Sequence, residues 1–186
     1  MINHKGTIEI ETSRLRLRQF TPHDLESMYA NCWQDEEVWQ WTSYEGMDKI
    51  EDVVEKSGLF TDWWLNAYQS PKRYNWAIAL KDSDQAIGRI FGMDLDEETG
   101  ELEISYELGK AWWNKGLMTE ALFSICAFLI EEVGFNRLYA YHAKENPASA
   151  RVLQKIGMTF KGIRPNAYQC NAGVFDAYDY ELRKEQ

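Results

Sequence analysis

Two short stretches of the chain hold residues whose types and order could do chemistry. In Asn146-Pro147-Ala148-Ser149-Ala150-Arg151-Val152-Leu153-Gln154-Lys155-Ile156-Gly157-Met158, Asn146 suits a helix N-cap and Pro147 the first helical position. Val152, Leu153 and Ile156 make an apolar stripe, and Gly157 closes the helix. A short helix thus points its N-terminus, with Asn146 and the Ser149 hydroxyl, at whatever lies in front of it. Earlier, Trp112-Trp113-Asn114-Lys115-Gly116-Leu117-Met118-Thr119-Glu120-Ala121 sets a glycine turn directly before an apolar run. Unbonded backbone N–H groups and the positive end of the helix dipole point out of such a turn, which suits it to hold an anion. Upstream again, Glu101, Glu103, Ser105 and Glu107 alternate with Leu102, Ile104, Tyr106 and Leu108, a strand with one carboxylate-rich face. Together these features suggest an enzyme. By position alone, however, Ser149 is a helix-surface serine beside a cap and Glu103 a solvated strand carboxylate.

The elements that must position these groups follow from periodicity. Thr7 to Glu11 and Leu15 to Phe20 alternate as half-buried strands do. Thr21-Pro22-His23-Asp24 opens a helix through Leu25, Met28 and Tyr29, and a second helical region runs through Ile50, Val53 and Val54 and resumes around Trp63. After Pro71 the period becomes two, predicting an antiparallel meander through Trp76 to Leu80, Ile87 to Leu95 and Leu102 to Leu108. A helix from about Thr119 to Gly134, a strand from Arg137 to His142, the Asn146 helix and a hairpin of Thr159 to Ile163 with Val174 to Leu182 complete the chain. This order implies one domain over residues 1–186, of the α/β (α+β) class, with a mixed, mostly antiparallel sheet flanked by helices.

Composition narrows the function. A net charge of −10 argues against a nucleic-acid partner and is compatible with a cationic acceptor or with solubility alone. Cys32, Cys126 and Cys170 show no metal-ligand spacing and read as reduced thiols, so neither a metal nor disulfides are expected. Met1 to Lys5 precedes no apolar run, and the run from Ala121 to Ile130 is too short to cross a bilayer, so we expect a cytoplasmic chain without a membrane partner. Trp33, Trp39, Trp41, Trp63 and Trp64 crowd the N-terminal half, as an acceptor wall, as core or as the contact of a homodimer.

The two opening stretches, in this order, resemble the acetyl-CoA-binding motifs of the GNAT superfamily of N-acetyltransferases. The turn is similar to its pyrophosphate loop, and the Asn146 helix to the downstream N-x-x-S/A-x-x-V/L-L/Y-x-K-x-G-F/M signature. Ser149 in its setting, Thr12-Ser13-Arg14-Leu15-Arg16-Leu17-Arg18, and Gly173-Val174-Phe175-Asp176-Ala177-Tyr178 resemble the branch that acetylates ribosomal-protein N-termini. The resemblance implies a GNAT-like fold over nearly the whole chain. It departs at the loop, where Trp113 and Met118 replace a basic and a small residue, and at Leu153, where many relatives place a general-acid tyrosine.

Carried onto this sequence, the resemblance implies that acetyl-CoA is the co-substrate. Its pyrophosphate is held by backbone donors of Asn114, Lys115, Gly116, Leu117, Met118 and Thr119 with the charge of Lys115, its carbonyl by the N–H near Leu108, and Asn146, counted with the catalytic residues, contacts the pantetheine arm or the acceptor. Ser149 attends the departing thiolate, Glu103 relays the amine proton through water, and Tyr168 and Asp176 border the acceptor groove; apart from the resemblance, His142 at the end of its strand is an alternative base or a hydrogen-bonded structural residue. The acceptor is a primary amine, foremost a protein N-terminal α-amine, attacking directly in a ternary complex. A small cationic amine is the first alternative, and a CoA-binding module without turnover the second. An α-amine of pKa about 8 is roughly a tenth neutral at pH 7, so a modest base suffices, and loss of Glu103 is expected to hurt most at low pH.

Overall fold

The period-two region after Pro71 forms a meander in the computed structural model of the protein, which describes residues 2–184. Strands β3 (Asn75–Leu80), β4 (Ala86–Asp96) and β5 (Glu101–Leu108) pair antiparallel in sequence order. β2 (Leu15–Arg18) adds to β3, and β1 (Ile10–Glu11) to β2. On the other side β6 (Arg137–Ala143) joins β5 in parallel, β8 (Gly173–Arg183) pairs with β6, and β7 (Thr159–Cys170) forms the far edge. The single sheet thus runs β1-β2-β3-β4-β5-β6-β8-β7, the mixed, mostly antiparallel α/β fold expected.

Alternation along the strands sends side chains into two cores. Trp76, Ile78, Ile90, Leu102 and Ile104 pack under helix α5 (Leu117–Ala127), its π-helical continuation Phe128–Val133, and α6 (Pro147–Lys155). The opposite face carries α1 (Asp24–Met28) with its π-helical continuation Tyr29–Trp33, α2 (Glu36–Trp39), α3 (Ile50–Glu55) and α4 (Asp62–Asn66), packed around Phe20, Met28, Trp33, Val53 and Trp64. Trp33 and Trp64 are therefore core residues, while Trp63 is exposed. Among the described residues no helix is long and apolar enough to cross a membrane.

Element boundaries differ from expectation in three places. β1 is shorter because Thr7 is drawn to β3 instead: its hydroxyl donates to the Arg73 carbonyl and accepts from the Asn75 N–H. β7 continues past Ile163 to Cys170 because register shifts absorb Pro165 and the left-handed Asn166 without ending the ladder. α1 starts at Asp24, whose carboxylate accepts from the Thr21 N–H and hydroxyl and pairs with both terminal nitrogens of Arg18 at 2.8 Å.

The feature that positions the site is a failure of pairing. β5 and β6 align only over Glu101–Glu103 and Arg137–Tyr139. Beyond that, β5 keeps its bonds to β4 as far as Leu108, β6 keeps its bonds to β8 as far as Ala143, and the two strands separate. At the mouth of the gap, α5 is tied to the β1–β2 turn through Glu120. One carboxylate oxygen accepts from Thr12 Oγ1 (2.6 Å), Ser13 Oγ (3.0 Å) and the Arg14 N–H (2.9 Å), and the other from Arg14 Nε (2.7 Å). Burial alone would raise the pKa of Glu120, but these donors outweigh it and hold the group at about 2. A folded pKa below the ordinary carboxylate value means stability that is present above pH 4.5 and lost as pH falls toward 2. Glu120→Gln should therefore lower stability at pH 7 by about 1–3 kcal/mol and flatten the acid limb in that window. Thermal melts from pH 7 to 2 check this, and parallel curves for the two proteins would remove the clamp.

Candidate active site

At the turn before α5, Asn114 (φ 59°) and Gly116 (φ 75°) both lie in the left-handed region, which glycine enters freely and asparagine tolerates. The helix begins at Leu117, with no side-chain cap, and its first intrahelical bond runs from the Glu120 N–H to the Gly116 carbonyl at 3.0 Å. The N–H groups of Leu117, Met118 and Thr119 are thus open to a ligand. The Lys115 ammonium lies 5.1 Å from the ring centre of Trp112, a residue of the cleft wall. A second cation, Arg14, reaches the turn and donates to the Lys115 carbonyl at 2.9 Å. Trp113, where a basic residue was expected, donates its indole N–H to the Leu108 carbonyl at 2.6 Å and so fastens the turn to the end of β5.

From this turn a cleft of about 970 Å³ runs between the separated strands. Gly109 N–H bonds the Ile87 carbonyl across β4, so the antiparallel alternation turns the N–H groups of Leu108 and Tyr106 the other way, into the cleft. α6 closes one wall. Asn146 Oδ1 caps it by accepting from the Ser149 N–H at 3.3 Å, and both residues line the cleft. Leu153 is fully buried in the core below.

The phenol beside Ser149 is that of Tyr106. Its phenol oxygen lies 2.6 Å from Ser149 Oγ and also donates to the Ser149 carbonyl at 3.3 Å. Burial, only partly countered by the hydrogen bond to Ser149, pushes the phenol well above its ordinary range, so it remains a proton-bearing donor. Sequence reasoning missed this residue because it shares a strand face with Leu102, Ile104 and Leu108 and reads as core; only its hydroxyl in an apolar row marked it.

On the other face of β5 the carboxylates are not solvated. Glu107 lies under Trp33 and Tyr44, Glu103 lies beside Tyr139 with Tyr141 and Arg164 nearby, and the two are 8% and 4% exposed. Burial, assisted by the nearby Asp94 charge, raises Glu103 to about 7. Glu107 instead meets Arg89, with Nε 2.6 Å from Oε1, and accepts from Trp33 Nε1 (2.6 Å) and from the Tyr44 hydroxyl. Arg89 and Glu107 were also missed, although a charge inside Ala86-Ile87-Gly88-Arg89-Ile90 requires a buried partner.

The remaining candidates separate. Tyr168 lines the cleft, donating to the Trp41 carbonyl at 2.7 Å and meeting Tyr141 edge to face at 5.9 Å. Asp176 does not line it; its carboxylate accepts from the Asn166 N–H and braces the β7–β8 hairpin. Tyr139 pairs with Glu103, so His142, of opposite parity on β6, faces the α6 side and not Glu103. His142 donates Nδ1 to the Ala143 carbonyl at 2.7 Å, stacks on Tyr180, and is held below the usual histidine range by burial. Among the described residues no three His, Cys, Asp or Glu side chains group as a metal site.

Comparison with known proteins gives this geometry its context. Residues 14–159 match the model of the acetyltransferase (GNAT) domain. The chain is 30% identical over 176 residues to the uncharacterized N-acetyltransferase YoaA of Bacillus subtilis, spanning 94% of this chain and 96% of that one. Among solved structures, a GCN5-related N-acetyltransferase from Brucella melitensis superposes with a TM-score of 0.81 at 19% identity, covering 98% of this chain and 81% of its own. The ribosomal-protein-S5-alanine acetyltransferase of Vibrio fischeri does so at 0.80 and 16%, covering 96% and 98%. These structural likenesses concern the fold, whereas the domain match spans most of the chain: the protein belongs to the GNAT acetyltransferases.

Proposed function

We propose that this acetyltransferase moves the acetyl group of acetyl-CoA to a primary amine, foremost the N-terminal α-amine of a protein, by direct attack within the cleft. The observation that carries the reading is the cleft itself. It has unbonded helix-terminal N–H groups at one end, inward-facing strand N–H groups along it, and a buried carboxylate and a hydroxyl pair on its two faces. The residues present fit CoA: Leu117, Met118 and Thr119 N–H groups for the pyrophosphate, and Tyr106 and Leu108 N–H groups for the arm and the carbonyl oxygen.

In the transfer, Glu103 takes the amine proton through water as the nitrogen bonds to the acetyl carbon. Ser149, held by Tyr106, gives its proton to the sulfur as the carbon–sulfur bond breaks. A base near 7 suits an α-amine of pKa about 8 better than a lysine near 10.4, and the likeness to the ribosomal-protein branch points the same way. The chain's acidity also suits a small cationic amine, which therefore stands as the competing acceptor.

Gly116→Asp and Gly116→Asn test the turn, since both side chains tolerate the left-handed backbone and differ in charge. The aspartate variant should bind CoA at least about tenfold more weakly than the asparagine variant in calorimetry, and equal affinities would place the phosphates elsewhere.

Ser149→Ala should lower kcat by about ten- to a thousandfold with little change in the KM for acetyl-CoA. Tyr106→Phe should lower kcat by about tenfold alone and add little in the Ser149→Ala background, because the two act as one unit. Additive losses would separate them.

The raised Glu103 reverses the low-pH expectation. Protonated below about 7, it cannot serve as base there, so Glu103→Gln should cost little activity below pH 6, most between about 7 and 9, and less where the amine is already neutral. Because the folded value lies above the ordinary 4.5, ionisation of the wild type loses stability as pH rises from 4.5 through 7. The glutamine variant should therefore melt higher than wild type above pH 7. A variant equal to wild type in both profiles would exclude Glu103 as the base. Offered a peptide bearing both amines, the enzyme should acetylate the N-terminus and spare lysine by mass spectrometry; acetylation of spermidine alone would favour the small-amine acceptor.

A further inference from the structure

We infer that the acceptor carries a carbonyl or carboxylate oxygen close to its amine, and that Arg89 reads this oxygen. The inference rests on the transferase reading of the cleft and narrows its acceptor to an α-amino carbonyl compound.

Arg89 is 6% exposed and lines the cleft from β4, among Ile87, Gly88 and Ile90. Its structural contact uses one edge of the guanidinium: Nε lies 2.6 Å from Glu107 Oε1, off the hydrogen-bond line, and is sealed from solvent. Glu107 is itself filled by Trp33 Nε1 on Oε1 and the Tyr44 hydroxyl on Oε2. The two terminal amino groups of Arg89 donate to no described residue, and they are not sealed as Nε is. Aromatic rings take the remaining space around the cation, with Cζ 4.4 Å from the Phe91 centroid, 5.6 Å from Trp33 and 5.8 Å from Tyr44. The unmatched donors therefore address the cleft.

Their position fits a specificity element. Phe91, against which the guanidinium packs, pairs with Ser105, and the next residue on the same face of β4, Met93, pairs with Glu103. Arg89 itself pairs with Glu107, four residues along β5 from Glu103, and its guanidinium lies between Glu107 and the Phe91 ring, so the reader of oxygen stands about 7 to 13 Å along the strand from the base, a span that the acceptor and the water relay to Glu103 share. An N-terminal residue or a free amino acid can place its amine toward Glu103 and its oxygen toward Arg89. A lysine side chain or a polyamine offers only methylenes, or a second cation, at that point.

The experiment compares kcat/KM, expressed per neutral amine, for an alanine-initiated peptide, alaninamide, alanine, isopropylamine and spermidine. The amide or the peptide should exceed isopropylamine by about a hundredfold or more, since a site built to bond a polar group rejects the analogue lacking it. Peptide against free alanine tells whether carbonyl or carboxylate supplies the oxygen. In Arg89→Gln with Glu107→Gln, which removes both charges together, the preference should fall below about tenfold through acceptor KM while the KM for acetyl-CoA holds. If that pair of substitutions unfolds the protein, Arg89→Lys, which keeps the charge and loses the fork, should reduce the preference at least about tenfold. Equal use of isopropylamine and alaninamide by the wild type, or an undiminished preference in the folded variants, would overturn the role of Arg89 alone. Absence of turnover with every amine, with CoA still bound, would instead take down the transferase reading with it.

Discussion

Everything in the site follows from the brevity of the parallel pairing between β5 and β6, which lasts from Glu101 to Glu103 and from Arg137 to Tyr139. Had the ladder continued, the N–H groups of Tyr106 and Leu108 would be bonded to β6 and no ligand could lie along them. Each strand instead keeps its outer partner, and the inner edges are left for something that is not protein. Strand alternation then divides the chemistry between two faces: Glu103 toward the N-terminal helices, Tyr106 toward α6 and Ser149. The proposed base and the proposed proton donor are thereby kept apart on either side of the gap.

The same burial acts differently on two carboxylates of one strand. Glu107 is surrounded by donors, with Arg89, Trp33 and Tyr44 meeting both oxygens. Glu103 has no ion-pair partner among the described residues, and desolvation outweighs the more distant Arg164 and raises it toward neutrality. Neighbours rather than residue type thus make one a structural anchor and the other a group that titrates where an amine acceptor needs a base. At the mouth of the cleft Glu120 shows the third outcome, a carboxylate filled by local donors that holds the β1–β2 turn against α5.

Much of this was legible before the structure because it is local. The Gly116 turn, the Asn146 cap and the meander depend on residues a few positions apart, and the helix and strand periods report them directly. The departures involve partners distant in sequence. Alternation named the face of Glu103 and Glu107 but not the distant side chains that bury them, Trp33 and Tyr44 over Glu107 and those of β6 and β7 beside Glu103. Tyr106 looked like core until α6, folded back from residue 147, placed Ser149 against its hydroxyl. The strand expected to end at Ile163 is carried onward by register shifts, and no local signal marked Arg14, from the β1–β2 turn, as the donor to the Lys115 carbonyl.

The most direct test is a crystal structure with CoA bound. The pyrophosphate should lie within hydrogen-bond distance of the Leu117 to Thr119 N–H groups, the pantetheine between β5 and β6, and the sulfur within about 4 Å of Ser149 Oγ. A CoA bound outside the gap, or a sulfur on the far side of the cleft from the Ser149–Tyr106 pair, would contradict it.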